Sequence, residues 1–216
     1  MIKLETNKQD FLSRKELEKY DYDFLNDLYI QFDYHEGCSF GWKTVDSLLS
    51  QILFHEKVIA EIKPKVVLEI GTYKSMYPYF LKKNLPDVKV HTFGINEESQ
   101  KCVDLVNQYF VENFVTFYAG DSTKTLTEFE PEDIAFDMAW VDGGHTYDVA
   151  HSDLINCARL EIPEILIDDV DMVDVRRALN EFLNSTYEND NGEYSYEVAD
   201  QSRSERMITR VRKVKK

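Results

Sequence analysis

The chain has 216 residues, 43% hydrophobic and 13% aromatic, enough for one full core with a terminal extension. Its net charge of −15 argues against a nucleic-acid phosphate backbone or an anionic membrane surface as the main partner. No apolar run approaches the ~20 residues of a membrane span, the charged start MIKLETNKQD lacks a signal-peptide core, and Cys38, Cys102 and Cys157 are too scattered for a disulfide framework or a CxxC metal pair, so a soluble cytoplasmic protein is expected.

Up to about Pro64 the chain reads as helical and polar, with Leu17, Tyr20, Phe24, Leu28 and Ile30 spaced for one buried face. The stretch HEGCSFGW, His35 to Trp42, interrupts it with two glycines. A second helix, TVDSLLSQILFHEKVIAEI, follows with Thr44 as its N-cap, and Pro64 ends it. From Lys65 the character changes to short apolar, β-branched runs: KVVLEI, KVHTFGI, FVTFYAG, FDMAWVD and EILIDD. Between them lie segments of helical spacing, Tyr77 to Asn84, Glu97 to Glu112, Tyr147 to Ala158 and Val173 to Thr186. This alternation predicts βαβ units and a mostly parallel sheet covered on both faces. STYENDNGEY reads as a polar loop; after it YSYEVAD and RMITRVRKV alternate as a terminal hairpin with one wet face would. The basic end, RVRKVKK, reads as a strand end with a solvated tail, or as a small anionic docking site. The expected organisation is a helical extension or cap over 1–62 and an α/β domain over 63–216.

In open α/β sheets ligands bind beyond the carboxyl ends of the strands, where the strand order reverses. Acids or amides stand at every one of those positions here: Glu69, Asn96 and Glu97, Asp121, Asp142, and Asp168 with Asp169. In LEIGTYKS, Gly71 permits a backbone conformation that a Cβ forbids and lets a ligand approach. The helix that follows offers free N–H groups to an anion. Glu69 closes an apolar strand and needs a partner if buried, a nearby lysine being the plain solution. Asn96 or Glu97 can accept ribose hydroxyls, though Asn96 is equally a helix cap; Asp121 and Ser122 can reach an adenine edge or cap the next helix.

The stretch AWVDGGHTYD carries the strongest chemical signal. Gly143 and Gly144 allow a sharp turn that sets Asp142 and His145 on one side. If the strand ending ILIDD is its neighbour, Asp142, Asp168 and Asp169 converge, and three carboxylates together need raised pKa values or a cation. Hard oxygen ligands suit Mg²⁺, Mn²⁺ or Ca²⁺. His145 would be a base beside that cation, with a pKa near neutrality. The plainer alternative is an Asx-turn at Asp142, a helix cap at Asp168 or Asp169, and a surface histidine. His35, His55, His91 and His151 read as structural or solvated.

LEIGTYKS, GDS, DGGHTYDVAHSDL and ILIDDV, in this order and at these intervals, resemble the class I S-adenosylmethionine-dependent methyltransferases. The resemblance spans about Val58 to Phe182 and is strongest to small-molecule and sugar O-methyltransferases with a D-G-x-H turn. It implies a Rossmann-like seven-stranded sheet, parallel except for one strand of a C-terminal β-hairpin, with helices on both faces. It also implies S-adenosylmethionine as cofactor: Glu69, Gly71, Thr72 and Tyr73 at the methionine end, Asn96 and Glu97 at the ribose, Asp121 and Ser122 at the adenine. In metal-dependent members the ligands correspond to Asp142, Asp168 and Asp169 and the base to His145.

The function expected is therefore methyl transfer, assisted by a divalent metal, to a small hydroxylated acceptor such as a sugar, without nucleic-acid or membrane partners. Tyr34, Phe40 and Trp42 are placed to cap the site or to form a homodimer contact. Ser75, where related sequences carry glycine, motivates one alternative, a binding module that has lost catalysis; a second is a metal-dependent hydrolase or hydroxylase on the same scaffold.

Overall fold

A computed structural model of the chain describes residues 8–30, 45–74, 76–96, 98–202 and 207–216. Before the sheet come α1 (Lys8–Ser13), a 3-10 turn at Lys15–Leu17, α2 (Tyr22–Ile30) and α3 (Val45–Ile62). The alternating region then runs β1 (Val66–Ile70), α4 (Met76–Asn84), β2 (Lys89–Gly94), α5 (Ser99–Phe110), β3 (Val115–Ala119), α6 (Ser122–Thr125), β4 (Met138–Val141), α7 (Tyr147–Arg159), β5 (Glu164–Ile167) and α8 (Val173–Leu183). Three strands close the chain: β6 (Tyr187–Asn189), β7 (Gly192–Gln201) and β8 (Thr209–Lys215).

The strands form one sheet in the order β3-β2-β1-β4-β5-β8-β7-β6. β1 to β5 are parallel; β8 runs antiparallel to β5, β7 to β8, and β6 to β7. The described sheet thus has eight strands where seven were expected, and both β6 and β8 run against the rest. The eighth arises inside the segment read as a polar loop. Asn189 and Gly192 pair across a tight turn, with Gly192 at φ 102, so a largely polar sequence still closes a hairpin, with Tyr187 packed against Phe182, Tyr194 and Tyr196.

Alternation along the parallel strands divides the core. Val67, Val90, Met138, Trp140 and Leu166 face one side, where they meet Phe11, Leu17, Tyr20, Leu25, Val58 and Ile59 of the helices before β1, with Tyr79 and Val103. Leu68, Ile70, Ala139, Val141, Ile165 and Ile167 face the other, against Leu154, Leu179, Phe182 and Tyr196. Both faces are dry, which explains why these strands are continuous apolar runs. The helices before β1 therefore share a core with the sheet. The basic end resolves as structure: Arg210 Nε donates to Glu164 Oε2 at 2.9 Å and Nη1 to Glu61 Oε2 at 2.8 Å, so β8 is tied to β5 and α3. No helix among the described residues is long and apolar enough to cross a membrane.

Candidate active site

A cavity of about 600 Å³ opens at the carboxyl end of the parallel strands, over β1 and β4, where the strand order reverses. All five loops contribute walls: Gly71 to Lys74 after β1, Ile95 and Asn96 after β2, Gly120 to Ser122 after β3, Asp142 to His145 after β4, and Asp168 with Asp169 after β5. The expected site residues Glu69, Gly71, Thr72, Tyr73, Asn96, Asp121, Ser122, Asp142, His145, Asp168 and Asp169 all line it. Glu97 lies outside the described residues, as do Ser75, Tyr34, Phe40 and Trp42.

The first loop is built by the approach of two strand ends. Asp142 N–H donates to Ile70 O at 2.8 Å, continuing the β1–β4 ladder past the last strand residue. That contact brings the Asp142 carbonyl where a Gly71 Cβ would be, 1.9 Å away, and Gly71 sits at φ 104. The glycine is thus required by the neighbouring backbone as well as by its own dihedral. Tyr73, next in the turn, holds a left-handed φ of 35 and is partly exposed at the rim.

Glu69 is 2% exposed and receives a hydrogen bond from Thr92 Oγ1, itself within 2.6 Å of Thr72 Oγ1. Burial pushes the Glu69 carboxyl well above its ordinary range; the Thr92 hydroxyl opposes this and the Asp142 charge adds to it. One such hydrogen bond contributes about 1 to 2 kcal/mol, less than the several kcal/mol that desolvating a carboxylate costs. Burial therefore favours the protonated carboxyl over the carboxylate. The lysine expected beside it is replaced by a threonine pair.

Asn96 and Asp121 fill both roles left open for them. Asn96 Oδ1 accepts from Glu98 N–H at 2.9 Å, and Asp121 Oδ1 caps α6 by accepting from Thr123 N–H at 3.0 Å, yet both residues line the cavity. Thr123 also holds the Asp121 carboxyl below its ordinary range.

Asp142, His145 and Asp169 form one cluster, with a ligand-type atom from each within 4.8 Å of the others. His145 Nε2 stands 3.1 Å from Asp169 Oδ2 and 4.0 Å from Asp142 Oδ1. Asp142 first and Asp169 second raise the imidazole pKa to about 10, so between these carboxylates it is an imidazolium at neutral pH. The near-neutral base expected from sequence is displaced upward by its two acidic neighbours. Asp169 is buried with a φ of 52, a left-handed conformation that costs a non-glycine residue roughly 1 kcal/mol and turns its chain direction at the end of β5. Asp168 lines the same cavity but stands outside this three-residue cluster. Neither acid caps α8: the N-cap is Met172, with no side-chain cap bond.

Gly143 and Gly144 keep ordinary negative-φ or extended backbone. Their lack of a Cβ makes room: at Gly143 it would meet Asp153 Oδ2 at 2.8 Å. Packing against α7 produces the turn that was attributed to conformational freedom.

Sequence reading missed one wall of the cavity. His55 from α3, Tyr77 and Phe80 from α4 and Trp140 from β4 line it on the face of the sheet that carries Glu69. His55 had been read as structural or solvated; it is 6% exposed in that wall. The available signal was register: Trp140 lies opposite Glu69 in the β1–β4 ladder, so the two residues share a face.

The family model described as a methyltransferase domain matches residues 68–170. Among solved structures, cofactor-bound Rv0187 from MTB is similar with a TM-score of 0.62 and 16% identity, over 89% of this chain and 87% of that one. The O-methyltransferase TomG of Streptomyces achromogenes, involved in tomaymycin synthesis and solved with SAM, has a TM-score of 0.58 and 16% identity over 92% and 99%. An O-methyltransferase from Bacillus cereus, solved with SAH, has a TM-score of 0.56 and 17% identity over 92% and 91%. No curated protein matches the chain. Residues 68–170 thus match a methyltransferase-domain model, and the chain has the fold of these S-adenosylmethionine- and S-adenosylhomocysteine-bound methyltransferases.

Proposed function

We propose that this protein transfers the methyl group of S-adenosylmethionine to a hydroxyl of a small acceptor, with a divalent cation at Asp142 and Asp169. The observation that carries the reading is the meeting of Asp142, His145 and Asp169 at the rim of the cavity that Gly71, Asn96 and Asp121 also line. The two carboxylates fit a hard cation, with buried Asp169 set in a left-handed backbone conformation and His145 beside them. A divalent cation supplies charge that lowers the pKa of an acceptor hydroxyl. S-adenosylmethionine supplies a methyl group on a sulfonium that is already activated.

The remaining work falls to the chain's own groups. Glu69, whose carboxyl burial pushes toward the protonated form, would hold the cofactor's ammonium. Asn96 and Asp121 orient the ribose and adenine ends, and Ile95, 78% exposed at the rim, offers an apolar face for the adenine. With a cation sharing the charge of Asp142 and Asp169, His145 would be able to accept the hydroxyl proton at Nε2. Bound there, S-adenosylmethionine would supply the activated methyl group, and these residues would hold the acceptor hydroxyl in line with it. In-line alignment of these atoms supplies much of the rate.

Calorimetry with S-adenosylhomocysteine, with and without Mg²⁺, is the test. Cofactor heat is expected in the wild type and in Asp169→Asn and Asp168→Asn, and Mg²⁺ heat is lost in Asp169→Asn but kept in Asp168→Asn. Absence of cofactor heat under either condition sinks the methyltransferase reading. Mg²⁺ heat that survives Asp169→Asn removes the cation from it.

A further inference from the structure

We infer that Lys74 and Ser99 form an anion seat on the β2 side of the cavity, and that it takes the phosphate of an adenine nucleoside phosphorylated on its ribose 2′- or 3′-hydroxyl. The seat stands on its own residues; that a ribose reaches it rests on the methyltransferase reading above.

The ribose end of the cavity is built from donors and not from an acid. In sheets of this kind an acid after the second strand accepts the ribose hydroxyls, and a basic group near that place admits a ribose phosphate. Here β2 ends at Gly94, where a Cβ would meet Thr72 Oγ1 at 2.8 Å and Thr72 Cβ at 2.9 Å, so no acid fits. Ile95 and Asn96 follow, and Asn96 Oδ1 accepts from Glu98 N–H at 2.9 Å. Among the described residues between β2 and α5, none that lines the cavity is an acid.

A cation and a hydroxyl line it instead. Lys74 is 6% exposed and is the sole lysine or arginine among the described lining residues. Its Nζ lies 5.0 Å from the centroid of the Tyr73 ring. The ammonium and the Cys102 thiol of α5 feel each other's charge, which sets Lys74 against the first turn of that helix. Ser99 begins the same helix, three residues before Cys102 and so on the same face. It lines the cavity, is buried, and its Oγ has no hydrogen-bond partner.

Both groups favour the same guest. Burial lowers the Lys74 pKa to about 8, so at neutral pH it is a cation that has lost much of its water. A buried hydroxyl left unmade costs about 1 to 3 kcal/mol, and one turn about χ1 carries Oγ from the wall to a ligand. A phosphate accepts from both, with charge-assisted bonds about twice as strong as those to a neutral ribose hydroxyl. The positive end of the α5 dipole adds to the attraction. Asp142, Asp168 and Asp169 follow β4 and β5, on the opposite side of β1 from β2, so the seat lies away from their charge. A nucleotide held here has no sulfonium and competes with the methyl donor.

The experiment is calorimetric titration of adenosine and of its 2′-, 3′- and 5′-monophosphates into the wild type at pH 7. The 2′- or the 3′-monophosphate is expected to bind about 10-fold more tightly than adenosine, with no such gain for the 5′-monophosphate, whose phosphate lies at the other end of the ribose. Lys74→Met should abolish the gain, Ser99→Ala should reduce it and Lys74→Arg should keep most of it, with adenosine heat in each variant showing that it folds. S-adenosylhomocysteine should compete with the phosphorylated nucleoside. Equal affinity for adenosine and both ribose phosphates overturns the proposal, as does a gain that the 5′-monophosphate shares or that survives Lys74→Met. Simultaneous binding with S-adenosylhomocysteine also overturns it, because the seat would then lie elsewhere. Absence of S-adenosylhomocysteine heat beside an intact, Lys74-dependent phosphate gain strikes the methyltransferase reading and leaves the anion seat standing.

Discussion

His145 Nε2 lies 3.1 Å from Asp169 Oδ2, an ion pair that joins the loop after β4 to the loop after β5. The contact exists because β4 and β5 are parallel neighbours, with Val141 opposite Ile167, so both loops leave the sheet at one level. In the metal-free protein the imidazolium stands between Asp169 and Asp142 and balances charge that a cation would otherwise supply.

A pH dependence follows from this pair. Asp142 and then Asp169 raise the His145 pKa from 6.5 to about 10, so between those values the folded state keeps a proton that the unfolded state has released. The stabilisation is fully present below pH 6.5 and is lost as pH rises through about 10. The side chain is 29% exposed, so solvent screening reduces the effect to roughly 1 to 2 kcal/mol. Urea unfolding with a chelator at pH 7 and pH 10 should show a larger loss for the wild type than for His145→Gln; equal losses would dissolve the pair.

Gly71→Ala should be among the most damaging substitutions at the site. Its Cβ would lie 1.9 Å from the Asp142 carbonyl oxygen, a backbone atom held by the ladder bond to Ile70, and its φ of 104 is strained for alanine. A loss of about 3 kcal/mol or more is expected, measured as a fall in the urea midpoint with unchanged slope. A near-neutral result would mean that the two strand ends separate freely.

Asp153 carries a second pH test, of the same sign but in a lower pH window. Burial, joined by the Asp121 charge, raises its pKa from 3.8 to about 7. The neutral acid's contribution is present below pH 3.8 and is lost as pH rises through about 7, by at most about 4 kcal/mol. Between pH 5 and pH 8 the wild type should therefore lose stability relative to Asp153→Asn by about 2 kcal/mol. Parallel unfolding curves for the two proteins across that range would refute a buried, proton-holding Asp153.

The sheet was legible because its central strands β1, β4 and β5 are buried on both faces, and each parallel strand runs into an acid or a glycine. KVVLEI, FDMAWVD and EILIDD announce strands by composition, and their last residues announce the rim. The strand Tyr187–Asn189 was not legible, since its side chains are polar and partly exposed and its pairing is made by backbone atoms. The reading of Gly143 likewise identified the turn but not its cause, because a sequence does not show that Asp153 from the next helix occupies the space of a side chain.

By itself the sequence determined the alternation of strands and helices, the acids at the strand ends, and the placement of Asp142 and His145 on one turn. These are local properties, set by periodicity, backbone freedom and spacing along the chain. Only the tertiary structure decided that Asp169 rather than Asp168 joins His145 and Asp142, that Glu69 rests on Thr92, and that His55 and Trp140 enclose one compartment. Those relations depend on strand register and on which way each residue leaves the end of its strand. A change of one residue in register exchanges the two faces of a strand, and no local pattern fixes the choice between two adjacent acids.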